Sequence, residues 1–517
     1  MLTVLKWLLA VAVVTGLAIV VARFLFPLPD RAAIKPGQAI AVSPDTGWGR
    51  FLTAAAEKHP GKSGVFPLAS GHGALASRLL LAREAERSID VMYYIWHNDV
   101  SGRLLLETLS DAAKRGVRVR LLVDDNGIHG MDEIFSSLNA TENFEVRLFN
   151  PSTVRSPKLA GYAFDFFRMN RRMHNKAFIV DGAAAILGGR NIGDEYFSIG
   201  DQNYFLDLDV MAAGAIVPET AADFDRYWNS ESVYPIEMIV GPPTGAMPSL
   251  ALSEAEKATL PEWFGRLPEI EAQIEARIAS GEDGFEWTDV KLVSDDPAKG
   301  LGKATDDQLM IAKLANIARP INTSLDLISA YFIPGKQGVE FFSGVARSGA
   351  KVAILTNSLQ ATDVALVHAG YSKYRRDLLE AGVELYELKP QPGVPSGSDE
   401  LSLIGSSGSS LHAKTLSVDQ ERIFIGSFNF DPRSVALNCE MGFLIESPAM
   451  ARQMRAAFTQ QVAQGSYKVE LRDNEMRWVE TGADGAEVAV HNDEPNASIT
   501  SRLMVTMLGW LPIEWML

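Results

Sequence analysis

One short pattern occurs twice in this chain, and the repetition limits the folds that can hold it. His174, Lys176 and Asp181 stand in the spacing His-x-Lys-x4-Asp, and His412, Lys414 and Asp419 repeat it in the second half. Gly188 and Asn191 follow the first copy at the same distances as Gly426 and Asn429 follow the second. The surroundings repeat too. Residues 88–94 (SIDVMYY) have the apolar, β-prone character of a buried strand, and residues 324–331 (SLDLISAY) echo them. Behind each comes a helix-like run, 104–113 or 339–346, then Gly116 or Gly349, then a second apolar strand. Glycine at a helix end with a strand beyond it predicts strand–helix–strand units, hence a mostly parallel sheet flanked by helices. An offset of roughly 235 residues is a whole domain, too long for a solenoid unit. The expected fold class is therefore α/β, with two homologous domains.

The motif itself carries chemistry. The apolar residues after Lys176 and the closing Asp181-Gly182 predict a strand entering a hairpin turn, where residues two apart share a face, so His174 and Lys176 point the same way. Such a pair sets an imidazole and an ammonium side by side on one face. A single copy could equally be a satisfied core histidine beside a snorkelling lysine. Two copies with matching glycine and asparagine, each in a repeated domain, are beyond coincidence. Asp181 and Asp419 lie at the turns on the face opposite their histidines, so they are expected to organise the hairpins. Arg172 shares the face of His174 and suits a second phosphate, its bland reading being a surface arginine. Tyr93, Tyr94 and Trp96 end the first inner strand, where an α/β sheet opens onto its site, and either line a slot or fill the core. Asp124 and Asp125 are neighbours in a strand and point apart, so they propose no metal.

A formal charge of −16 argues against a phosphate polymer as the main partner. The single cysteine, Cys439, excludes an internal disulfide framework and Cys-rich metal sites. From Trp7 to Ala22 the chain is uncharged and apolar, and after Arg23 the apolar run resumes until Pro27, close to the roughly 20 residues that cross a bilayer. A cleaved signal peptide competes, but its apolar core is normally shorter and ends in a small-x-small site. Arg23, Arg31 and Lys35 after the run, against Lys6 before it, lean towards a cytoplasmic body. At the other end, residues 499–517 carry Trp510 and Trp515 with Pro512 as a breaker, and read either as a last core element or as a foot lying on lipid. Between the halves, Gly241-Pro242-Pro243 opens a polar stretch whose helix-like part, 253–279, reads as a connector or lid.

These motifs resemble the phospholipase D superfamily, whose signature is two such copies, and the resemblance covers about 88–447. Longer stretches are similar to the bacterial cardiolipin synthase C subfamily: NRRMHNK at 170–176, GGRNIGDEYF at 188–197, LTNSL at 355–359, GSFNFDPRS at 426–434 and LPIEW at 511–515. The resemblance implies two α/β/α sandwiches about a pseudo-twofold axis, with both motifs in one cleft. One imidazole attacks the lipid phosphorus to form a phosphohistidine, and the other protonates the departing alcohol. Its catalytic set is His174, Lys176, Asp181, His412, Lys414 and Asp419, with His174 as nucleophile and His412 as acid–base by analogy. Asn191, Asn429 and Ser427 belong to the substrate-binding and orienting set, and Glu440 holds the second imidazole nitrogen of a motif histidine, with Asp209 as its counterpart in the first half. No metal or other cofactor is implied.

The activity implied is transfer of a phosphatidyl group from phosphatidylethanolamine or phosphatidylglycerol to phosphatidylglycerol, giving cardiolipin, at a bacterial inner membrane. Hydrolysis by a phospholipase D is the alternative, with a phosphodiesterase or nuclease further off because of the acidic charge and apolar termini. Partners are phospholipids and the bilayer, not nucleic acid, and any accessory protein is left open. The expected boundaries are an anchor or signal segment at 1–28, domains at 38–240 and 286–475, a linker or lid at 241–285, and a membrane-interacting tail at 476–517.

Overall fold

The computed structural model describes residues 2–200, 204–258, 260–280, 284–318, 320–390, 410–482, 484–511 and 514–517; Pro512, the expected breaker in the tail, lies outside them. Two mixed sheets carry the fold. The first runs in the order Glu286–Thr288, Ser63–Leu68, Asp209–Gly214, Ala184–Gly188, Ala177–Val180, Ser88–Tyr93, Arg118–Asp124, Phe144–Phe149, Val233–Pro235. The second runs Val290–Ser294, Met441–Ile445, Arg422–Gly426, Lys414–Val418, Ser324–Ser329, Lys351–Asn357, Glu384–Leu388, Ser466–Arg472, Glu475–Thr481, Glu487–His491. Eight strands correspond one to one between the sheets, which is the duplication read from the sequence.

The parallel order holds only where helices cross over, through Ser88–Tyr93, Arg118–Asp124 and Phe144–Phe149 and their second-half equivalents. The motif strands pair antiparallel, because a tight turn joins them. That turn has positive φ at its two central residues, Asp181 and Gly182 or Asp419 and Gln420, and is closed by the N–H of Ala183 or Glu421 on the carbonyl of Val180 or Val418. Asp181 also accepts from the backbone N–H groups of Glu86, Arg87 and Ser88, and Asp419 from those of Asn322, Thr323 and Ser324. Each aspartate thus ties its hairpin to the start of the neighbouring inner strand.

Both faces of each sheet are covered, so the inner strands are mostly apolar, and their buried Asp90 and Asp326 are paired with Arg120 and Arg455. Phe178 and Val180 face the outer helices, Gly71–Arg83 and Val100–Lys114, while Ala177 and Ile179 face the other half. There they join Leu187, Val210, Ile425, Met441 and Phe443 in one buried core shared by the two sheets. This core fixes the halves against each other.

Three boundaries differ from the sequence reading. The chain crosses between halves at Asp289, since Glu286–Thr288 pairs in the first sheet and Val290–Ser294 in the second. Helix Leu267–Ser280, read as a solvated connector or lid, buries Ile270, Ile274 and Ile278 on helix Gly71–Arg83, with Arg83 and Glu271 paired at 2.6 Å. Its glutamates mask an i, i+4, i+8 stripe. Strands Glu475–Thr481 and Glu487–His491 extend the second sheet where a tail was expected; they are polar because they form its outer hairpin.

At the N-terminus, Thr3–Leu25 is long and apolar enough to cross a membrane and none of it is buried. Its end is held to the body by Arg23 Nε donating to the Phe164 carbonyl at 2.7 Å and by Phe26 stacking on Phe164. The C-terminal helix Ile499–Gly509 buries Val505, while Met507, Trp510 and Trp515 are exposed. The chain end docks through Arg433, whose N–H and guanidinium donate to the carbonyls of Leu517 and Met516.

Candidate active site

Each motif histidine is held by the opposite half. The segment before His412, Ser410–Leu411, forms a short parallel ladder with Phe205–Leu206, and the N–H of His412 donates to the Leu206 carbonyl at 2.7 Å. Met173, just before His174, bridges to Cys439 in the same sense, with the His174 N–H donating to the Cys439 carbonyl at 2.8 Å. The residue that follows each partner segment is a carboxylate. Asp207 Oδ2 lies 2.6 Å from His412 Nδ1, and Glu440 Oε2 lies 2.8 Å from His174 Nδ1. A carboxylate at Nδ1 fixes the ring and leaves Nε2 of each imidazole for chemistry. The lysines complete the symmetry: Lys176 Nζ donates to the His174 carbonyl at 2.6 Å, and Lys414 Nζ to the His412 carbonyl. All six groups are buried.

The electrostatics of the two pairs differ. Burial, with Lys176 and Lys414 adding repulsion, pushes His174 well below its ordinary value. Glu440 is pushed up to about 7, chiefly by burial. Burial and Lys414 also lower His412, but Asp207 opposes them. Burial alone would raise Asp207; the charges of His412, Lys414 and Arg190 overcome it and hold the carboxylate at about 2. The His412 pair therefore keeps a firm negative charge that favours imidazolium, whereas His174 is the imidazole more readily neutral. Lys176 and Lys414 are both lowered, first by burial, so their charge is sustained by Glu440, Asp207 and any bound anion. Tyr94 meets the His174 ring edge-on at 5.1 Å, and Tyr196 meets His412 in the same way, so these rings wall the site.

Several residues are placed otherwise than expected. Asp209 does not hold a histidine. It pairs with Arg78 at 2.8 Å and Arg190 at 3.6 Å inside the first half. Asp207 takes the expected role, and strand register explains why: Gly188 pairs with Asp209 and Gly426 with Gly442, so the counterpart of Glu440 stands two residues before Asp209. Gly189 makes room for it, since a Cβ there would collide with Asp207 Oδ1. Ser427, at the matching position in the second half, instead donates to Glu440 at 2.5 Å. Arg172 is neither a surface residue nor open to a second phosphate; it is buried, with Asp124 at 3.0 Å and the Asn150 carbonyl at 2.9 Å. Asn191 accepts from the Ile95 N–H and donates to the Tyr196 hydroxyl, and Asn429 accepts from the Tyr331 N–H, so both brace the wall. Asp181 and Asp419, grouped by the resemblance with the catalytic set, stay at their hairpins.

Two braces escape the sequence reading. Asp124 Oδ2 accepts from the Met173 N–H, and Asn357 accepts from the Leu411 N–H while donating to its carbonyl. Both sit at the ends of equivalent strands and fix the residue before a motif histidine; the shared strand end is the available signal. Among the described residues, His97, Asp99 and Glu195 form a cluster compact enough for a cation. The 3.3 Å contact between His97 and Glu195 accounts for it as an ion pair.

A family model described as "Cardiolipin synthase, PLD-like domain" matches residues 80–228 and 313–462, one segment in each half. The chain is 45% identical over 469 residues to cardiolipin synthase C of Escherichia coli K12, covering 89% of this chain and 97% of that protein. It is 28% identical to cardiolipin synthase 1 of Staphylococcus epidermidis over 74% of this chain and 64% of that one. In fold it is similar to the crystal structure of phosphatidylserine synthase from Haemophilus influenzae, with a TM-score of 0.54 at 14% identity, covering 80% of this chain and 91% of that chain. With both motifs reciprocally braced in one buried site and both halves matched by the family model, the chain belongs to the cardiolipin synthase family of PLD-like, phosphatidyl-transferring enzymes.

Proposed function

We propose that the protein makes cardiolipin by moving a phosphatidyl group from phosphatidylethanolamine or phosphatidylglycerol to phosphatidylglycerol through a phosphohistidine. His174 Nε2 attacks phosphorus while the bond from phosphorus to the headgroup oxygen breaks, and His412 Nε2–H gives its proton to that oxygen. The acceptor hydroxyl then returns a proton to His412 as its oxygen attacks phosphorus and His174 leaves. Lys176 and Lys414 offset the charge on the non-bridging oxygens inside a buried site, where fixed charges act strongly. The observation that carries the reading is the crossed pair, His174 with Glu440 and His412 with Asp207, which gives two imidazoles of unequal proton affinity in one site. The exposed N-terminal helix and the Trp510–Trp515 end support membrane attachment, and the excess of basic residues after the helix supports a body on the cytoplasmic side of a bacterial inner membrane.

Transfer and hydrolysis share the first step, so the acceptor decides. Vesicles of phosphatidylethanolamine and phosphatidylglycerol, with separately isotope-labelled headgroups and acyl chains, identify both donor and product by mass. Cardiolipin as the main product, with phosphatidic acid minor, is expected. Phosphatidic acid dominating at saturating phosphatidylglycerol overturns the synthase reading and leaves a phospholipase.

A further inference from the structure

The two halves are built alike, but their outer cores are not filled alike. In the first half Arg78 is fully buried, with Nε 2.8 Å from the Tyr93 hydroxyl and Nη2 2.8 Å from Asp209, and Arg190 lies 3.6 Å from the same carboxylate. The repeat puts Leu314, Ser329, Gly442 and Phe428 in their places. Arg78 and Leu314 stand equally far before Ser88 and Ser324, and Tyr93 and Ser329 equally far after them. Arg190 and Phe428 stand equally far after Gly188 and Gly426, whose register partners are Asp209 and Gly442. A charged lattice has given way to smaller or apolar groups.

Two of these replacements, Leu314 and Phe428, line a cavity of about 270 Å³ between the second sheet and helices Met310–Ala318 and Gly335–Arg347. Leu325, Leu327 and Phe428 line its base, and half-buried Ile311, Ala315 and Phe341 its rim. An apolar space of this kind stays dry and takes hydrocarbon, not water. Its position says which hydrocarbon. Lys414 forms part of the wall, and the ammonium of the same side chain donates to the His412 carbonyl in the catalytic pair. A ligand that fills the cavity and continues along Lys414 would bring its polar end to the motif histidines. The wall also includes Val435, from the short helix Pro432–Ala436 whose Arg433 holds the C-terminal end beside exposed Trp515. Hydrocarbon, then an anionic head at the catalytic lysine, is the shape of a phospholipid. The volume suits part of one chain and not two.

We infer that this cavity holds the outer part of one fatty-acyl chain of the phospholipid whose phosphate is processed between His174 and His412; the identity of that ligand rests on the phosphatidyl-transfer reading. The cavity then makes the enzyme selective for chain length.

The test uses full-length protein in nanodiscs with phosphatidylglycerol carrying a photoactivatable diazirine near the end of one acyl chain. Adducts are expected on residues 311–342 or 424–435, and they should fall sharply in Ala315→Trp and Val435→Phe, which fill the cavity. In the kinetic arm those variants should raise KM for dioleoyl substrate about tenfold, a typical penalty for blocking a hydrocarbon pocket, and leave dihexanoyl substrate unchanged. Adducts confined to the N-terminal helix and the tail, or equal losses on long and short chains in variants that melt like wild type, overturn the inference. The wild-type adduct map does not depend on either variant folding. If adducts appear in the cavity but no cardiolipin is formed, the transfer reading fails and the cavity stands. Cardiolipin formed without cavity adducts overturns the cavity and leaves the transfer reading in place.

Discussion

Asp207→Asn and Asp209→Asn separate a catalytic brace from a structural one two residues away. Asp207 is fully buried with its carboxylate 2.6 Å from His412 Nδ1. Replacing it by asparagine keeps the shape and an oxygen acceptor but removes the charge that favours imidazolium. A charge pair about 4 Å apart at an effective dielectric near 20 is worth about 4 kcal/mol. Lost in full from the transition state, that is a fall of roughly a thousandfold in kcat/KM. The folded protein should tolerate the change, because a neutral His412 no longer needs the anion. Asp209 presents the opposite case. Its loss strands Arg78 and Arg190 in the first core, and breaking one partner of a buried ion pair costs about 3–5 kcal/mol of stability. Asp209→Asn should therefore melt lower while the protein that stays folded keeps most of its turnover. Cardiolipin formation measured per folded molecule, beside a melting curve for each variant, reads both effects. An active Asp207→Asn, or an inactive Asp209→Asn with unchanged melting, would refute the crossed-brace argument.

Gly189→Ala should act like a weaker Asp207 variant, since its methyl collides with Asp207 Oδ1 and must displace it; wild-type kcat/KM in that variant would show that the carboxylate's position is not critical. The pH dependence of kcat/KM follows from the free-enzyme shifts. In the proposed mechanism His412 must carry its proton and His174 must be neutral, so activity is present at low pH and lost as pH rises through a His412 value lowered from 6.5 by burial and Lys414. The still lower value of His174 puts the acid limb further down, so the optimum falls on the acid side of neutrality. Asp207→Asn should move the alkaline limb lower again, and a limb that does not move contradicts the pairing. Deleting residues 1–26 should release much of the protein from membranes in a flotation assay, while a fully bound truncation would assign attachment to the Trp510–Trp515 end.

The duplication is legible because it rests on local signals: the motif spacing, the glycines at helix ends, the hairpin aspartates. The hairpin role of Asp181 and Asp419 can be reasoned from strand alternation alone, since a residue seven after the histidine falls on the other face. What depends on register is not legible. Asp207 and Asp209 are equally apt carboxylates in one short stretch, and only the pairing of Gly188 with Asp209 shows which of them faces His412. Arg172 looks available because a motif-proximal arginine reads as a phosphate ligand; its partner Asp124 comes from a different strand, and no spacing in the sequence announces it. Helix Leu267–Ser280 reads as a solvated element because its glutamates obscure the isoleucines that bury it. The outer hairpin of the second sheet is hidden for a related reason, edge strands being free to be polar.

Rapid quench of the full-length enzyme with phosphatidylglycerol in denaturant at mildly alkaline pH, where a phosphohistidine survives, followed by peptide mass spectrometry, tests the central claim directly. One site built from both halves predicts at most one phosphatidyl group per chain, attached to His174. It also predicts that this adduct is absent in His174→Ala and forms far more slowly in His412→Ala, where the departing headgroup oxygen has lost its proton donor. A phosphatidyl group on His412, or two groups on one chain, would contradict the single crossed site and the roles assigned to its two histidines.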